Sequence, residues 1–214
     1  MKGKLLFGAI TSLAVLAAGA LPSLAQNWLE GSSERLPTEA EIEILRQEVR
    51  RKIEERSRSG HPAWDPRTDS QRQDTEDFVR AWSQVDPEIA PFLGMWLHVE
   101  EVLTIYPSNV KGRVCLLYTT LDSRPGFAIS SVVNDKVINE NDTVIFEEGG
   151  TLQTALIRHG KPAYSYDFRP WRPLVPIDEL LPAPYYGPSA EAEAYQIIRE
   201  FKAAGCTAST PSEQ

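Results

Sequence analysis

The sequence predicts an α+β protein with a mainly β core, in which six or seven antiparallel strands form a meander that is a small barrel or a curled sheet. Two observations lead to this fold class. Apolar and polar residues alternate over short segments between positions 92 and 168, and turn-forming residues separate these segments at short intervals. Apolar residues at helical spacing precede and follow this region, which predicts N-terminal helices and a C-terminal helix. Because a flat meander would leave its apolar face in water, we expect it to curl or to lie against these helices.

The first 25 residues have the organisation of a cleavable signal peptide. Lys2 and Lys4 give a positively charged start, and an uncharged apolar run from Leu5 to Leu21 follows. Ser23 and Ala25 place small side chains where signal peptidase requires them, which predicts cleavage after Ala25. The alternative is an uncleaved membrane anchor, although the run is at the short end of what spans a bilayer. We therefore predict an exported protein without a transmembrane anchor after cleavage, located in the periplasm or alternatively in the thylakoid lumen or outside the cell.

The mature chain is expected to be acidic. The full chain has 22 Lys and Arg against 30 Asp and Glu and a formal net charge of −8, and loss of two Lys with residues 1–25 makes it −10. A surface of this sign repels nucleic-acid phosphates and anionic lipid. The composition therefore predicts no nucleic-acid partner, and we expect any partner to be another exported or membrane-associated protein.

The predicted organisation of the mature chain has one globular domain with an N-terminal extension. Its parts are 26–70 (polar leader, charged amphipathic helix and linker), 71–206 (single globular domain, with β core 92–168, proline-rich strap 169–188 and C-terminal helix 189–205) and 207–214 (disordered tail). Six prolines in the strap exclude a helix or a central strand there. We expect Trp171, Tyr185 and Tyr186 to anchor the strap as an extended segment on the domain surface.

A charged helix is predicted after the leader. Thr38 and Glu41 have the spacing of a capping box, which begins a helix. The apolar residues that follow form one narrow stripe: Ile42, Leu45, Val49 and Ile53. Such a stripe either packs on the protein's own domain or binds a partner helix, and both interpretations are open from the sequence. A second helix is predicted over residues 71–84, beyond a linker with no periodicity.

The first predicted strand carries apolar residues on one face: Leu97, Val99, Leu103 and Ile105. Glu101 falls on the same face, which indicates either a β-bulge between Glu100 and Glu101 or a buried acid. The strands expected after it are 113–120, 127–133, 136–138, 143–147, 152–157 and 163–168.

The two cysteines, Cys115 and Cys206, both lie in the mature chain. An even number of cysteines in an exported protein is typical of a disulfide, which would join the second strand to the end of the last helix. A catalytic cysteine is the alternative. No His or Lys stands next to either cysteine in the sequence to stabilise a thiolate.

Candidate catalytic and metal-binding groups are few. The three histidines, His61, His98 and His159, do not have the helical spacing of metal ligands, and no phosphate-binding or dinucleotide-binding motif occurs, so we predict no metal site and no cofactor. His98 shares a predicted strand face with Glu100 and is the one candidate general base. The adjacent carboxylates Glu147 and Glu148 have the chemistry of glycosidase acids, but neighbours on a strand face opposite ways.

The first strand opens on Gly94-Met95-Trp96, which resembles the G-x-W signature of lipocalins and related calycin barrels. In that family the tryptophan plugs the closed end of an eight-stranded barrel that carries a small apolar ligand. The resemblance implies that Trp96 is a core plug. It also implies that ligand or plug contacts come from the apolar residues of this strand: Trp96, Leu97, Val99, Leu103 and Ile105.

Four further stretches are similar to segments of uncharacterised exported proteins of photosynthetic bacteria. They are Ile89 to Gly94, Ile105 to Ser108, Lys111 to Cys115 and Phe201 to Cys206. Both cysteines fall within them. This resemblance implies an exported location and carries no activity.

Three functional hypotheses follow from the sequence. The first is a non-catalytic accessory domain that binds another exported protein through the apolar stripe and the strap aromatics: Ile42, Leu45, Val49, Ile53, Trp171, Tyr185 and Tyr186. The second is a small calycin-like barrel that binds an apolar molecule. The third is a hydrolase that uses His98 with nearby carboxylates, and it is the weakest because no nucleophile accompanies this base in the sequence.

Overall fold

Eight antiparallel strands form a closed barrel. The computed structural model describes residues 33–60, 65–99, 101–120, 125–181 and 187–213, so the predicted signal peptide lies outside the described residues. The strands are β1 (Gly94–His98), β2 (Glu101–Pro107), β3 (Arg113–Thr120), β4 (Gly126–Val132), β5 (Lys136–Ile138), β6 (Val144–Glu148), β7 (Thr151–Arg158) and β8 (Lys161–Arg172). Each strand pairs with the next along the chain, and β8 pairs with β1 to close the barrel. The mainly β antiparallel core is confirmed, and of the two predicted forms, a small barrel or a curled sheet, the barrel is observed, with more strands than the six or seven expected.

The helices lie before and after the strands. They are α1 (Glu39–Arg58), α2 (Asp69–Ser83), α3 (Ile177–Leu180) and α4 (Gly187–Ala203), with short 3-10 helices at Ala90–Phe92 and Pro211–Glu213. Within the described ranges, no helix is long and apolar enough to span a membrane.

The first predicted strand is in fact two strands joined by a tight turn. Val99 lies in this turn with a φ of 49° and is 80% exposed, and His98 on β1 pairs with Glu101 on β2. The predicted bulge is therefore wrong. The turn begins a new strand, in which the alternation of inward and outward side chains starts again, and it places Glu101 opposite His98. The expected single face is also wrong. Leu103 and Ile105 point into the barrel on the same face as Trp96, whereas Leu97 is on the opposite, outer face.

The last strand extends into the segment predicted as a strap. β8 includes Pro162 and Pro170, and Pro170 pairs with Trp96 next to a shift in register. Proline lacks an N–H donor, and such irregular positions tolerate it because the ladder is already interrupted there. The rest of the strap contains α3, and α4 begins two residues before the predicted start. Tyr185 and Tyr186 lie outside the described residues.

The barrel interior is a single apolar cluster. Its members from the strands are Trp96, Leu103, Ile105, Val114, Leu116, Tyr118, Ala128, Val132, Val137, Ile145, Leu152 and Phe168. Trp82 of α2 and Phe92 of the first 3-10 helix belong to the same cluster. We call the end of the barrel that these two elements cover the closed end.

The apolar stripe of α1 packs on the outer wall of the barrel. Ile42, Leu45 and Val49 are only 2–5% exposed, and they contact Phe146 and Ala155 on the strands. Ion pairs flank this contact and hold the helix on the strands: Glu39 with Lys136, Arg46 with Glu148, and Arg50 with Glu148. Of the two interpretations of the stripe, packing on the protein's own domain is the one observed.

The C-terminal region packs on a different part of the outer wall and is held there by a disulfide. Cys115 on β3 is bonded to Cys206, which follows α4, and the two Cα atoms are 6.2 Å apart. The residues expected to form a disordered tail instead contact the domain. The Thr207 amide donates to the Pro107 carbonyl at 3.1 Å, and the Trp82 indole donates to the Ser209 carbonyl at 3.2 Å.

The capping box of α1 makes stability depend on pH. Hydrogen bonds from Arg35 and from Thr38 lower the pKa of Glu41 to about 2, from an ordinary value of 4.5. A carboxyl group with a lowered folded-state pKa contributes stability above its unfolded pKa and loses it as the pH falls. We therefore expect the stability difference between the wild type and Glu41→Gln to shrink as the pH falls from about 4.5 to about 2. Urea unfolding midpoints across this range measure it, and a difference independent of pH would contradict the assignment.

Candidate functional site: a groove on the outer wall

A groove runs between α1 and the wall formed by β7 and β8, and it continues to the C-terminal end of β1. We call it the side groove. Its first chamber has a volume of about 260 Å³ and is lined by Val49, Ile53, Tyr164 and others. Its second chamber has a volume of about 390 Å³ and is lined by Pro66 and Leu97 among others. Both chambers share three charged residues, Arg56, Asp167 and Arg169, which we call the junction.

The β6–β7 turn fixes how closely α1 approaches this wall. Gly149 in the turn has a φ of 61°, a conformation that favours glycine. A Cβ atom at this position would lie 2.5 Å from Cδ1 of Ile53, so the turn and the helix are in direct contact. Gly149 and Ile53 both line the first chamber, so the backbone conformation of this turn sets the position of one wall of the chamber.

The side groove carries more positive than negative charge. Arg56 lies 3.3 Å from Asp167 and Arg169 lies 3.6 Å from it, so two guanidinium groups share one carboxylate. Lys52 adds a third cation over the ring of Tyr164, 4.4 Å from its centroid. Asp167 is the one acidic side chain among the described residues that line the two chambers.

His98 lies at the margin of the second chamber. Its ring meets Phe168 edge to face at 5.8 Å between centroids. Burial lowers the pKa of His98; Asp167 opposes this effect and Arg169 adds to it, so the site favours the neutral imidazole. The described residues that line this chamber include no hydroxyl or thiol group for a base to activate. This arrangement can bind and orient a ligand through Arg56, Arg169 and Asp167.

Among the other candidate catalytic groups, Glu148 and His159 are described, and both have structural contacts. Burial tends to raise the pKa of Glu148, but hydrogen bonds from Arg50 and Arg46 outweigh it and the pKa is lowered. Glu148 is thus an ionised anchor for α1. His159 lies in the β7–β8 turn, where its amide donates to Glu34, and His61 lies outside the described residues. No group of three His, Cys, Asp or Glu side chains is placed to hold a metal ion in the part of the chain that the structure describes.

The residues predicted to contact a ligand or to plug the barrel separate into two groups. Trp96 is 7% exposed, and Leu103 and Ile105 are 0% exposed, so side chains fill the barrel at this level. The indole N–H of Trp96 donates to the Phe92 carbonyl at 2.9 Å, at the closed end. Leu97 and Val99 instead line the second chamber of the side groove.

Of the residues predicted to bind a partner, Ile42, Leu45 and Val49 are buried against the barrel. The four residues of the α1 stripe belong to the cluster between this helix and the strands. Trp171 is half-buried beneath the guanidinium of Arg172, 4.3 Å from its ring centroid. Sequence reasoning missed the junction residues. The one signal for them is the pair of charged residues around the apolar Phe168, which marks Asp167 and Arg169 as outward-facing positions on a strand.

Fold and site together define a disulfide-linked, eight-stranded antiparallel barrel with a cationic groove on its outer wall. No protein-family model matches the chain, and comparisons with curated proteins and with solved structures give no significant match.

Proposed function

We propose that this protein is an exported, non-catalytic barrel of calycin-like form that binds a small amphipathic molecule in the side groove. The observation that carries the proposal is the meeting of two chambers, of about 260 and 390 Å³, at the junction residues. Small-molecule sites are typically concave, mainly apolar and about 300–1,000 Å³ in volume, with a few fixed polar groups. The disulfide supports export, because such bonds persist in oxidising compartments.

The outer groove is a better site than the barrel interior. An eight-stranded barrel encloses space for its own side chains or for one small ligand. Here the apolar residues at mid-barrel have no exposed surface, as Leu103, Ile105 and Leu116 illustrate. A ligand at that level would have to displace packed core side chains, whereas the side groove is open to solvent.

A binding role is also favoured over the other two hypotheses. The accessory-domain hypothesis depended chiefly on the α1 stripe, which is covered by the barrel wall. The hydrolase hypothesis needs a nucleophile or an activated water beside His98. The described lining of the second chamber offers Arg56, Arg169 and Asp167 instead, which are groups that recognise charge.

The proposal is tested with a groove-blocking variant. Ser57 lines the first chamber but is exposed, and its hydroxyl donates to the Ile53 carbonyl of the same helix, so Ser57→Trp should fill the groove without disturbing the stripe. We expect the neutral apolar fluorophore N-phenyl-1-naphthylamine to bind the purified protein saturably. Ser57→Trp should weaken this binding about tenfold or more, which corresponds to about 1.4 kcal/mol.

Gln47→Trp is the matched control. Gln47 is an exposed residue of the same helix and lies outside the linings of both chambers. It should leave the affinity for the fluorophore unchanged. Absence of saturable binding, or equal effects of the two tryptophan variants, would overturn the proposal.

A further inference from the structure

The junction concentrates positive charge on an acidic protein. Asp167 is shared between Arg56 and Arg169, whose side chains are 45% and 34% exposed. Lys52 stands beside them and is paired with Glu48 at 3.3 Å. One carboxylate thus faces two guanidinium groups on a chain whose formal net charge is −8. Clefts lined by charge of one sign raise the local concentration of oppositely charged ligands.

The two arginines retain capacity for a further acceptor. Each ion pair with Asp167 joins one guanidinium nitrogen, at 3.3 Å for Arg56 and 3.6 Å for Arg169. These distances exceed the approximately 2.7–2.9 Å of strong charge-assisted hydrogen bonds. A guanidinium group offers five N–H donors in a planar fork that matches carboxylate and phosphate oxygens.

The polar groove on the other side of α1 provides a contrast. It contains Arg46, Arg50 and Lys136, but four acidic residues line it as well: Glu39, Glu43, Asp135 and Glu147. Arg46 and Arg50 contact Glu148 at 3.2 and 2.8 Å, and Lys136 contacts Glu39 at 2.6 Å. The cations of the polar groove therefore hold α1 on the barrel. At the junction, one carboxylate only partly neutralises the positive charge of two arginines.

An apolar surface adjoins the junction. In the first chamber, Val49, Ile53 and the ring of Tyr164 lie beside Arg56. Ile53 and Tyr164 are half-buried in the same cluster, so part of their apolar surface remains open to the groove. A ligand that fills this chamber and reaches the junction therefore needs an apolar body and one negatively charged end.

We infer that the ligand is an anionic amphiphile, with a single acidic head group at Arg56 and Arg169 and an apolar chain along Ile53 and Tyr164. This inference rests on the proposed function and specifies its ligand class. The head group accepts hydrogen bonds from both arginines. Asp167 lies between the two guanidinium groups and holds them in place. Lys52 adds a further positive charge in the first chamber, over the ring of Tyr164.

A matched series of twelve-carbon compounds tests the inference. Dodecanoate, dodecanol and dodecyltrimethylammonium differ in head-group charge and share one chain length. In displacement of N-phenyl-1-naphthylamine from the purified protein, dodecanoate should bind about tenfold or more tightly than dodecanol, because bonds to a charged acceptor are the stronger ones. The cationic compound should bind most weakly. Added salt should weaken dodecanoate alone.

Substitutions locate the head group. Arg56→Gln and Arg169→Gln should each reduce dodecanoate affinity about tenfold and dodecanol affinity by clearly less, since the neutral hydroxyl gains less than the anion from a charged donor. Arg56→Lys keeps the charge and should retain more dodecanoate affinity than Arg56→Gln. Arg51→Gln is the control, because Arg51 lies on the same helix, pairs with Glu55 and lines neither chamber.

The outcomes separate the two proposals. If the fluorophore and dodecanol bind and Ser57→Trp blocks them, but dodecanoate has no advantage, the anionic ligand is wrong and the binding groove stands. The same holds if Arg51→Gln weakens dodecanoate as much as Arg56→Gln does. If no probe binds saturably, the groove itself is wrong, and the inference fails with it.

Discussion

Removal of the disulfide by the double substitution Cys115→Ala and Cys206→Ala is expected to lower the free energy of unfolding by about 4–5 kcal/mol. The bond links residues that are 91 positions apart, so it greatly restricts the unfolded chain. Cys115 is fully buried in the cluster between the strands and α4. Because domains are stable by only about 5–15 kcal/mol, this loss would remove much of the total.

Equilibrium urea unfolding of the wild type and the double variant measures the effect. Alanine is chosen because it adds no polar group to the buried site. The single variant Cys206→Ala should lose a similar amount, since it also opens the loop. A loss below about 1 kcal/mol would mean that the bond does not constrain the unfolded chain as the loop-closure model requires.

The same variant separates stability from binding. The disulfide holds α4 against β2, β3 and β4, whereas the side groove lies on β7 and β8. The two regions are on different parts of the outer wall. We expect the folded fraction of the double variant to bind the fluorophore with unchanged affinity.

The parts of the fold that were predicted from the sequence carry local signals. The capping box of Thr38 and Glu41 and the periodic stripe place α1 correctly, because helix ends and faces are set within a few residues. β3 and β5 have the predicted bounds, since turn-forming residues flank them. The disulfide was also expected, from the number of cysteines and the signal peptide.

Two features were not predicted because their signals are unusual. The β1–β2 turn contains Val99, a β-branched residue with a φ of 49°, where a sequence pattern would call for glycine or asparagine. β8 contains Pro170, which normally excludes a central strand. The first feature merged two strands into one. The second hid the extension of β8 and its pairing with β1, so the difference in strand number comes from the first feature alone.

The side groove could not be predicted, because distant segments form it. Arg56 and Asp167 are separated by 111 positions and meet only when α1 docks on β8. The stripe indicates which face of α1 is buried, but not which wall of the barrel receives it. Charge at the junction therefore arises from docking geometry, which single-sequence patterns do not encode.

Trp96→Ala is the second substitution with a large expected effect, about 3–5 kcal/mol of unfolding free energy. Trp96 is 7% exposed, packs among the interior residues and donates its indole N–H to Phe92 in the 3-10 helix. Truncation leaves a cavity near the closed end and an unpaired carbonyl. The effect is measured by urea unfolding.

Two controls show what kind of residue Trp96 is. Trp96→Phe keeps most of the apolar volume and loses the bond to Phe92, so it should cost only about 1–2 kcal/mol. Trp171→Ala removes a half-buried tryptophan beneath Arg172 and should cost less than Trp96→Ala. If the two alanine variants lose equal amounts of unfolding free energy, Trp96 is no more important for stability than Trp171.

The backbone of the neighbouring Gly94 helps to position Trp96. Gly94 has a φ of 136°, which favours glycine, and a Cβ there would meet Trp96 Nε1 only at an ordinary 3.7 Å. The glycine is therefore needed for its backbone conformation and not for lack of space. It turns the chain from the 3-10 helix into β1, which brings the indole back to the carbonyl of Phe92. If Trp96 closes the barrel in this way, its loss should destabilise the fold while the side groove, on the outer wall, keeps its affinity in the folded fraction.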